Sequence, residues 1–269
     1  MGGGSFLDQR LLGIENVTLP LGFIGVGIGH TIEPNNRAAL KRARFVIVRD
    51  HLSATRCSNA FLAPDVVLSR KDFKIPKVQK PEGAPKKVVV LLNEFFYPGW
   101  DSKEWQSTPY YRFSQEFAKV CESLMSRGYH ITFLPMCISG EIDDRRMAAS
   151  VIGRMKHRGK VNWYIEKSIT DDVLFKHLSY ADLVITQRLH GAIYAILAEK
   201  TFVVIRSHDK LRGLLEDCNW SGHLDYYAFT DEEFFKVLSG IEGKIVDRSY
   251  VEYAQKRWSE LAEIVVKLK

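Results

Sequence analysis

The sequence has few cysteines, and their placement excludes two kinds of site. Four cysteines occur among 269 residues, and no two of them form a C-x-x-C pair. Structural zinc sites and disulfide frameworks need cysteines at characteristic spacings, so neither is expected here. The simplest expectation is a protein of the reducing cytoplasm.

Long apolar runs and a strong charge of one sign are also missing. No run reaches the roughly 18 apolar residues of a membrane-spanning helix, and the first residues do not resemble a signal peptide. The formal net charge of +6 is mild, so we expect no nucleic-acid surface but some preference for acidic ligands. With 46% hydrophobic residues, the chain can bury a substantial core.

What the sequence has instead is a regular alternation of apolar strands and amphipathic helices from residue 87 onward. Strands are predicted at 87–93, 129–135, 161–165, 182–186 and 201–206. Helices are predicted at 111–128, 143–157, 170–180, 190–199, 210–217, 230–239 and 249–267. Strands that alternate with helices favour a parallel sheet covered on both faces, the arrangement of a Rossmann-like α/β domain.

The first 70 residues predict a second and smaller α/β domain. The expected elements are a strand and glycine loop at 21–29, strands at 44–50 and 65–69, and helices at 35–43 and 52–57. A glycine triplet at residues 2–4 looks like a strand-to-helix loop with no strand before it, so this domain is expected to be abbreviated. Residues 71–87 predict a linker to a C-terminal domain at 88–269.

The glycine-rich stretch GVGIGH, residues 25–30, invites comparison with a dinucleotide-binding loop. The fingerprint G-x-G-x-x-G requires its third glycine where this chain has His30, and a polar loop with Pro34 delays the next helix. A tight turn at the sheet edge explains the glycines better. It leaves His30 at the carboxyl end of a strand, where open α/β sheets bind ligands.

The segment VITQRLHGAIYAIL, residues 184–197, changes from a buried strand to an apolar helix, and Arg188 and His190 lie at the corner. Unpaired N–H groups and the positive end of the helix dipole favour an anion there. Arg188 adds a forked hydrogen-bond donor, and His190 adds a group that exchanges a proton near neutrality. Gly191 has no side chain that would keep a ligand away from the backbone. Each side chain alone has an ordinary structural explanation, but together they favour an anion site.

Two further basic side chains follow apolar strands. Arg49, next to Asp50, either forms a salt bridge at the strand end or grips an anionic ligand. Lys210, two residues after His208, is either a second phosphate contact or a solvated lysine in the first turn of a helix. The sequence leaves both alternatives open for each residue.

In these motifs the chain resembles the polysaccharide pyruvyl transferase family. The similarity covers the glycine triplet, GVGIG, VRDHLS, APDVVLS, RGYHITFLP and, most specifically, ADLVITQRLHG. It implies two Rossmann-like domains of the GT-B type. It also implies transfer of pyruvate from phosphoenolpyruvate to a sugar, with formation of a cyclic ketal and release of phosphate.

The family's Arg-Leu-His element falls on residues 188–190 and implies that they bind phosphoenolpyruvate and that the histidine takes part in catalysis. His190 is the implied catalytic acid or base, and Asp8 is the candidate base on the acceptor side. The candidate donor-binding residues are Arg188, Leu189, Gly191, Arg49, His30 and Lys210. We expect no cofactor and no metal, because cationic side chains neutralise the donor and the chain lacks a D-x-D motif.

The expected partners are phosphoenolpyruvate and a sugar or glycan acceptor. A lipid-linked acceptor would bring the protein to the inner face of the membrane as a peripheral protein. Two alternatives stay open. One is a nucleotide-sugar glycosyltransferase of the GT-B type, for which Glu199 is the nearest acidic residue that would grip a ribose. The other is a truncated homologue that binds glycan without catalysis.

Overall fold

The computed structural model describes most of the chain, which divides into two compact units. The described residues are 17, 20–29, 32, 34–71, 75–76, 78–93, 109–139, 142–165, 169–206 and 209–267. The first unit consists of Met1–Phe73, His208–Trp220 and Asp247–Lys269, and the second unit of Lys74–Ser207 and Ser221–Val246. Asp8, His30 and the glycine triplet lie outside the described residues.

Strands and helices alternate through most of the described chain, as the sequence pattern predicts. The sequence did not predict the short strands at Phe61–Leu62, Ile138–Ser139, Ile142–Asp143 and His223–Asp225. The strands are β1 (Gly22–Val26), β2 (Phe45–Val48), β3 (Phe61–Leu62), β4 (Lys86–Leu91), β5 (Tyr129–Phe133), β6 (Ile138–Ser139), β7 (Ile142–Asp143), β8 (Val161–Trp163), β9 (Leu183–Thr186), β10 (Thr201–Arg206) and β11 (His223–Asp225). The helices are α1 (Pro34–Arg42), α2 (His51–Thr55), α3 (Pro109–Ser126), α4 (Asp144–Arg154), α5 (Asp171–Tyr180), α6 (Leu189–Leu197), α7 (Asp209–Asp217), α8 (Asp231–Ile241) and α9 (Arg248–Lys267).

The second unit contains a parallel sheet in the order β11-β10-β9-β4-β5-β8. Its central strands carry continuous apolar runs, and both faces of Val88–Leu91 and of Leu183–Thr186 are buried. A sheet with such runs needs helices on both sides, because contact of its apolar side chains with water would be unfavourable on either face. The α/β prediction is therefore confirmed for this unit.

The first unit contains a smaller parallel sheet in the order β1-β2-β3. Gly25 has a φ of +64° within β1, where the pairing with β2 shifts register between Phe23 and Val26, so this glycine allows an irregularity in the strand rather than the predicted tight turn. A side chain at Gly27 would press on Arg49, because a Cβ there would lie 2.7 Å from Nη2. Together the two sheets confirm an α/β fold with two Rossmann-like parts.

Helices α7 and α9 group with the first unit, whereas the sequence pattern predicts both within a domain at 88–269. Leu261 of α9 packs with Ile47 and Ala63 in an apolar cluster. The indole Nε1 of Trp258 donates to the carbonyl of Pro64 at 2.7 Å. Amphipathic helices of this kind can cover any apolar face, so the sequence pattern does not reveal which sheet they join.

The prediction of a strand at 65–69 is wrong. Residues Val66–Ser69 form a 3-10 helix, and the Asp65 carboxylate accepts the N–H of Val67 at 3.1 Å. An aspartate that bonds the backbone two residues ahead favours a turn over an extended strand.

No helix in the described part of the chain is both long and apolar enough to cross a membrane.

Candidate functional site

The carboxyl ends of β4 and β9 lie side by side at the topological switch point of the larger sheet. From β4 the chain proceeds outward through β5 to β8, and β9 then returns to the other side of β4. The strands β10 and β11 extend the sheet in the opposite direction. Ligands of open α/β sheets bind outside the carboxyl ends of the strands at such a point. Arg188 lies two residues beyond the end of β9, and so at this point.

Arg188 is held by a buried carboxylate. Its Nε donates to Asp144 Oδ2 at 3.2 Å, and its Nη2 donates to Asp144 Oδ1. The Asp144 side chain is 1% exposed and that of Arg188 is 22% exposed. The guanidinium is therefore fixed side-on against the start of α4 while part of it still reaches solvent. No local sequence pattern indicates Asp144 as a site residue, because it lies 44 residues from Arg188.

The backbone around Arg188 is shaped by Thr186. The hydroxyl of Thr186 accepts the N–H of Arg188 at 2.9 Å and lies 3.1 Å from its carbonyl oxygen. This local bonding ends β9 and sets Arg188, in extended conformation, as the N-cap residue of α6. Arg188 makes no side-chain cap hydrogen bond to α6, because a guanidinium has only donors and the helix N-terminus needs an acceptor.

Gly191 lets α6 approach β9 closely. A Cβ at this position would overlap Thr186 Oγ1 and lie 2.9 Å from Leu91 Cδ1. Close packing of the first helical turn on the sheet is therefore a sufficient reason for glycine here. A contact between Gly191 and a donor stays a prediction.

Gly191→Ala is expected to lower the free energy of unfolding by about 1–3 kcal/mol, because the added methyl group overpacks the strand-helix corner. Chemical denaturation of the two proteins measures this difference. Gly153→Ala is the matched control, because Gly153 is also helical but a Cβ there meets nothing within 4 Å. It is expected to leave stability unchanged or raise it by up to about 1 kcal/mol. Equal effects of both substitutions would contradict the packing explanation.

Leu189 and His190 occupy the first turn of α6. Leu189 is buried, and so contributes apolar packing in this structure. His190 is half-buried, and its ring centroid lies 6.2 Å from that of Tyr194, one turn further along the helix. The structure therefore places the imidazole two residues from Arg188 on the same helix start. Their roles in donor binding and catalysis stay predictions.

Gln187 ties together the two strand ends at the switch point. Its backbone N–H donates to Leu91 O at 3.0 Å, and its Oε1 accepts the N–H of Asn93 at 2.8 Å. The side chain is almost fully buried, and its Nε2 has no hydrogen-bond partner in the described structure. This buried amide keeps the ends of β4 and β9 in register directly before Arg188, a function that the sequence analysis missed.

Arg49, in the first unit, lies between two carboxylates. Its side chain is 3% exposed, with Nε 3.7 Å from Asp50 Oδ2 and Nη1 3.8 Å from Asp65 Oδ2. Its Nε and Nη2 have no hydrogen-bond partner among the described residues. These distances fit the salt-bridge interpretation, and the carboxylates of Asp50 and Asp65 offset the positive charge of Arg49. Donor binding by Arg49 stays a prediction.

Lys210 lies in the second position of α7, where it is half-buried, and belongs to the first unit. Glu199 follows α6, just before β10 begins. Because α6 is about 13 Å long and runs back from the carboxyl edge of the sheet, Glu199 lies at the opposite edge from Arg188. The role of Lys210 as a donor contact stays a prediction. The position of Glu199 does not suit contact with a ligand bound at the switch point.

Several solved structures share the fold of this chain. The UDP-GlcNAc 2-epimerase from Neisseria meningitidis bound to UDP-GlcNAc has a TM-score of 0.62 at 8% sequence identity, with 92% of this chain and 70% of that chain covered. The epimerase from Methanocaldococcus jannaschii has a TM-score of 0.62 at 7% identity, covering 95% and 72%. The trehalose-phosphate synthase (UDP-forming) from Burkholderia vietnamiensis has a TM-score of 0.54 at 10% identity, covering 94% and 69%. Identities this low show the GT-B-like fold alone.

At the level of sequence, no curated protein matches the chain. A family model described as polysaccharide pyruvyl transferase matches residues 2–209. The matched range includes β9, the Arg-Leu-His element and Asp144, and it covers more than half of the chain.

Proposed function

Because the chain belongs to the polysaccharide pyruvyl transferase family, we propose that it transfers pyruvate from phosphoenolpyruvate to a sugar of a polysaccharide or glycan precursor. The observation that carries this proposal is Arg188, an oriented guanidinium at the switch point of the larger sheet and at the N-terminus of α6. Phosphoenolpyruvate carries a phosphate and a carboxylate. Both groups match a forked cationic donor next to the N-terminus of a helix, where the helix dipole favours an anion.

The proposed reaction joins one carbon of the donor to two sugar hydroxyls. The methylene carbon of phosphoenolpyruvate gains a proton while the first hydroxyl oxygen bonds to the adjacent carbon. The second hydroxyl then bonds to that carbon as the bond to the phosphate oxygen breaks, so that a ketal and inorganic phosphate leave. Both steps need a proton donor and a proton acceptor, and His190 suits either role near neutral pH.

Other parts of the proposal rest on the sequence. Asp8 is proposed as a base on the acceptor side, and His30, Arg49 and Lys210 as further donor contacts. The donor substrate needs no cofactor, and cationic side chains take the place of a metal. A cytoplasmic protein that works on a lipid-linked acceptor would act at the inner face of the membrane.

Phosphate release provides the direct test. The full-length protein is mixed with phosphoenolpyruvate and with acceptors that contain galactose, mannose or N-acetylmannosamine. We expect acceptor-dependent release of one phosphate for each ketal formed, measured by a phosphate assay and by mass spectrometry of the sugar. Phosphate release without any ketal in the product would contradict a transferase and indicate a phosphatase.

A nucleotide-sugar glycosyltransferase is the second candidate, because one structure of similar fold holds UDP-GlcNAc. Against it, Glu199 lies at the opposite edge of the sheet from Arg188. Thermal shift separates the two: we expect stabilisation by phosphoenolpyruvate and none by UDP-sugars. The reverse result favours the glycosyltransferase, and glycan binding without either donor favours a non-catalytic homologue.

A further inference from the structure

The carboxylate of Asp144 is anchored by the scaffold independently of Arg188. Its Oδ2 accepts the backbone N–H groups of Met136 and Cys137 at 3.0 and 2.9 Å. Asp144 is also the first residue of α4, where the helix dipole stabilises a negative charge. The position of this buried charge is therefore set by the loop after β5 and by the start of α4.

The side-on contact with Asp144 leaves a defined part of Arg188 available. Nε and Nη2 each donate to the carboxylate, which uses two of the five guanidinium N–H groups. Nη1 makes no hydrogen bond to any described residue. The remaining N–H groups, on Nη1 and Nη2, form the fork that matches two oxygens of a carboxylate or phosphate.

We propose that Asp144 is the positioning residue that orients this fork toward the anionic donor. The proposal rests on the proposed function, in which Arg188 binds phosphoenolpyruvate. Asp144 has two opposing effects on donor affinity. Its negative charge repels the donor, which weakens binding. Its hydrogen bonds fix the Arg188 side chain in one rotamer before the donor binds, which lowers the entropy cost of binding. Two backbone N–H groups and the dipole of α4 offset part of the negative charge of Asp144, so we expect the orienting effect to be the larger one.

Asp144→Asn tests the proposal, because repulsion and orientation predict changes of opposite sign. If Asp144 orients Arg188, the variant binds phosphoenolpyruvate about tenfold more weakly, the largest loss that an unfixed side chain of this size explains. If Asp144 acts only through its charge, the variant binds the donor more tightly. Isothermal titration measures the dissociation constant, and equal or tighter binding overturns the proposal.

Asp143→Asn is the matched control. Asp143 is the N-cap of α4 and pairs with Arg145 rather than Arg188. Asparagine caps helices as well as aspartate does, so donor affinity is expected to stay within twofold of the original. In steady-state kinetics, Asp144→Asn is expected to raise the KM for phosphoenolpyruvate more than it lowers kcat, a split that a general loss of folded protein would not produce.

Arg188→Lys keeps the proposal testable if Asp144→Asn does not fold. Lysine retains the positive charge but has no fork and cannot make the side-on contact. We therefore expect donor affinity to fall at least tenfold, which corresponds to about 1.4 kcal/mol of binding free energy. Unchanged affinity would show that charge alone suffices and would overturn the orienting role.

Titration with inorganic phosphate separates this inference from the proposed function. If the unsubstituted protein binds phosphate but not phosphoenolpyruvate, the proposed function is overturned. The effect of Asp144→Asn is then measured with phosphate as the ligand. An original protein that binds phosphoenolpyruvate, with a variant that binds it equally well, overturns only the role of Asp144. Binding of neither anion overturns both.

Discussion

Arg188→Ala is expected to weaken the binding of phosphoenolpyruvate about 100-fold, because truncating one partner of a charged, forked contact typically costs 2–5 kcal/mol. The substitution removes the fork and also takes away the guanidinium that pairs side-on with Asp144. Calorimetric titration with the donor measures the loss. Donor affinity that is unchanged in the alanine variant would show that the switch point does not bind phosphoenolpyruvate.

Stability must be measured in the same variant, because Asp144 loses its ion pair. Arg145→Ala is the matched control: Arg145 makes a side-on contact with Asp143, through Nε at 2.8 Å and Nη2 at 2.6 Å. These hydrogen bonds lower the pKa of Asp143 below its usual value, so this neighbouring pair is also a favourable contact. We expect both variants to be less stable and only Arg188→Ala to lose affinity for phosphoenolpyruvate. Loss of the donor in both would indicate a general effect of unfolding.

His190→Ala is expected to lower kcat by about 10²- to 10⁴-fold, the usual contribution of a general acid or base. The affinity for phosphoenolpyruvate is expected to change much less, because the proposed anion contact is that of Arg188. The comparison is made at saturating donor and acceptor with the phosphate-release assay. A variant that retains the full rate would remove His190 from the proton transfer.

His177→Gln is the control for this measurement. His177 lies on α5, and its Nε2 is 2.7 Å from the hydroxyl of Tyr164. Burial lowers its pKa, so its environment keeps it neutral to a lower pH than an exposed histidine. Glutamine can keep a hydrogen bond to Tyr164, and kcat is expected to stay unchanged. A comparable loss of rate in both variants would point to a change of packing rather than of chemistry.

The sequence reveals the Arg188 corner because all of its signals are local. An apolar strand, a basic residue and an apolar helix follow one another within residues 183–197, and periodicity identifies each of them. The sequence could not reveal Asp144 as the partner of Arg188, because a contact across 44 residues depends on how α4 starts beside the sheet. The two adjacent acids at 143 and 144 were a weak signal, since a helix start needs only one cap.

Other differences between prediction and structure have either a local or a long-range cause. The short strands β3 and β11 contain two and three residues, too few for a period-2 pattern to be recognised. Gly191 was interpreted through ligand access, but its close contact with Thr186 and Leu91 appears only when α6 packs on β9. Long apolar segments were predicted correctly from their own sequence, whereas the turn at Val66–Ser69 and the contacts between distant segments were not.

The placement of α9 has a consequence for the order in which the protein folds during its synthesis. Trp258 and Pro64, which are hydrogen-bonded in the first unit, are 194 residues apart. The second unit ends at Val246, before α9 begins at Arg248. The ribosome therefore completes the larger sheet first, while Ile47 and Ala63 still lack the helix that covers them. Because contacts between distant residues form slowly, we expect docking of α9 onto the first unit to be a late step of folding.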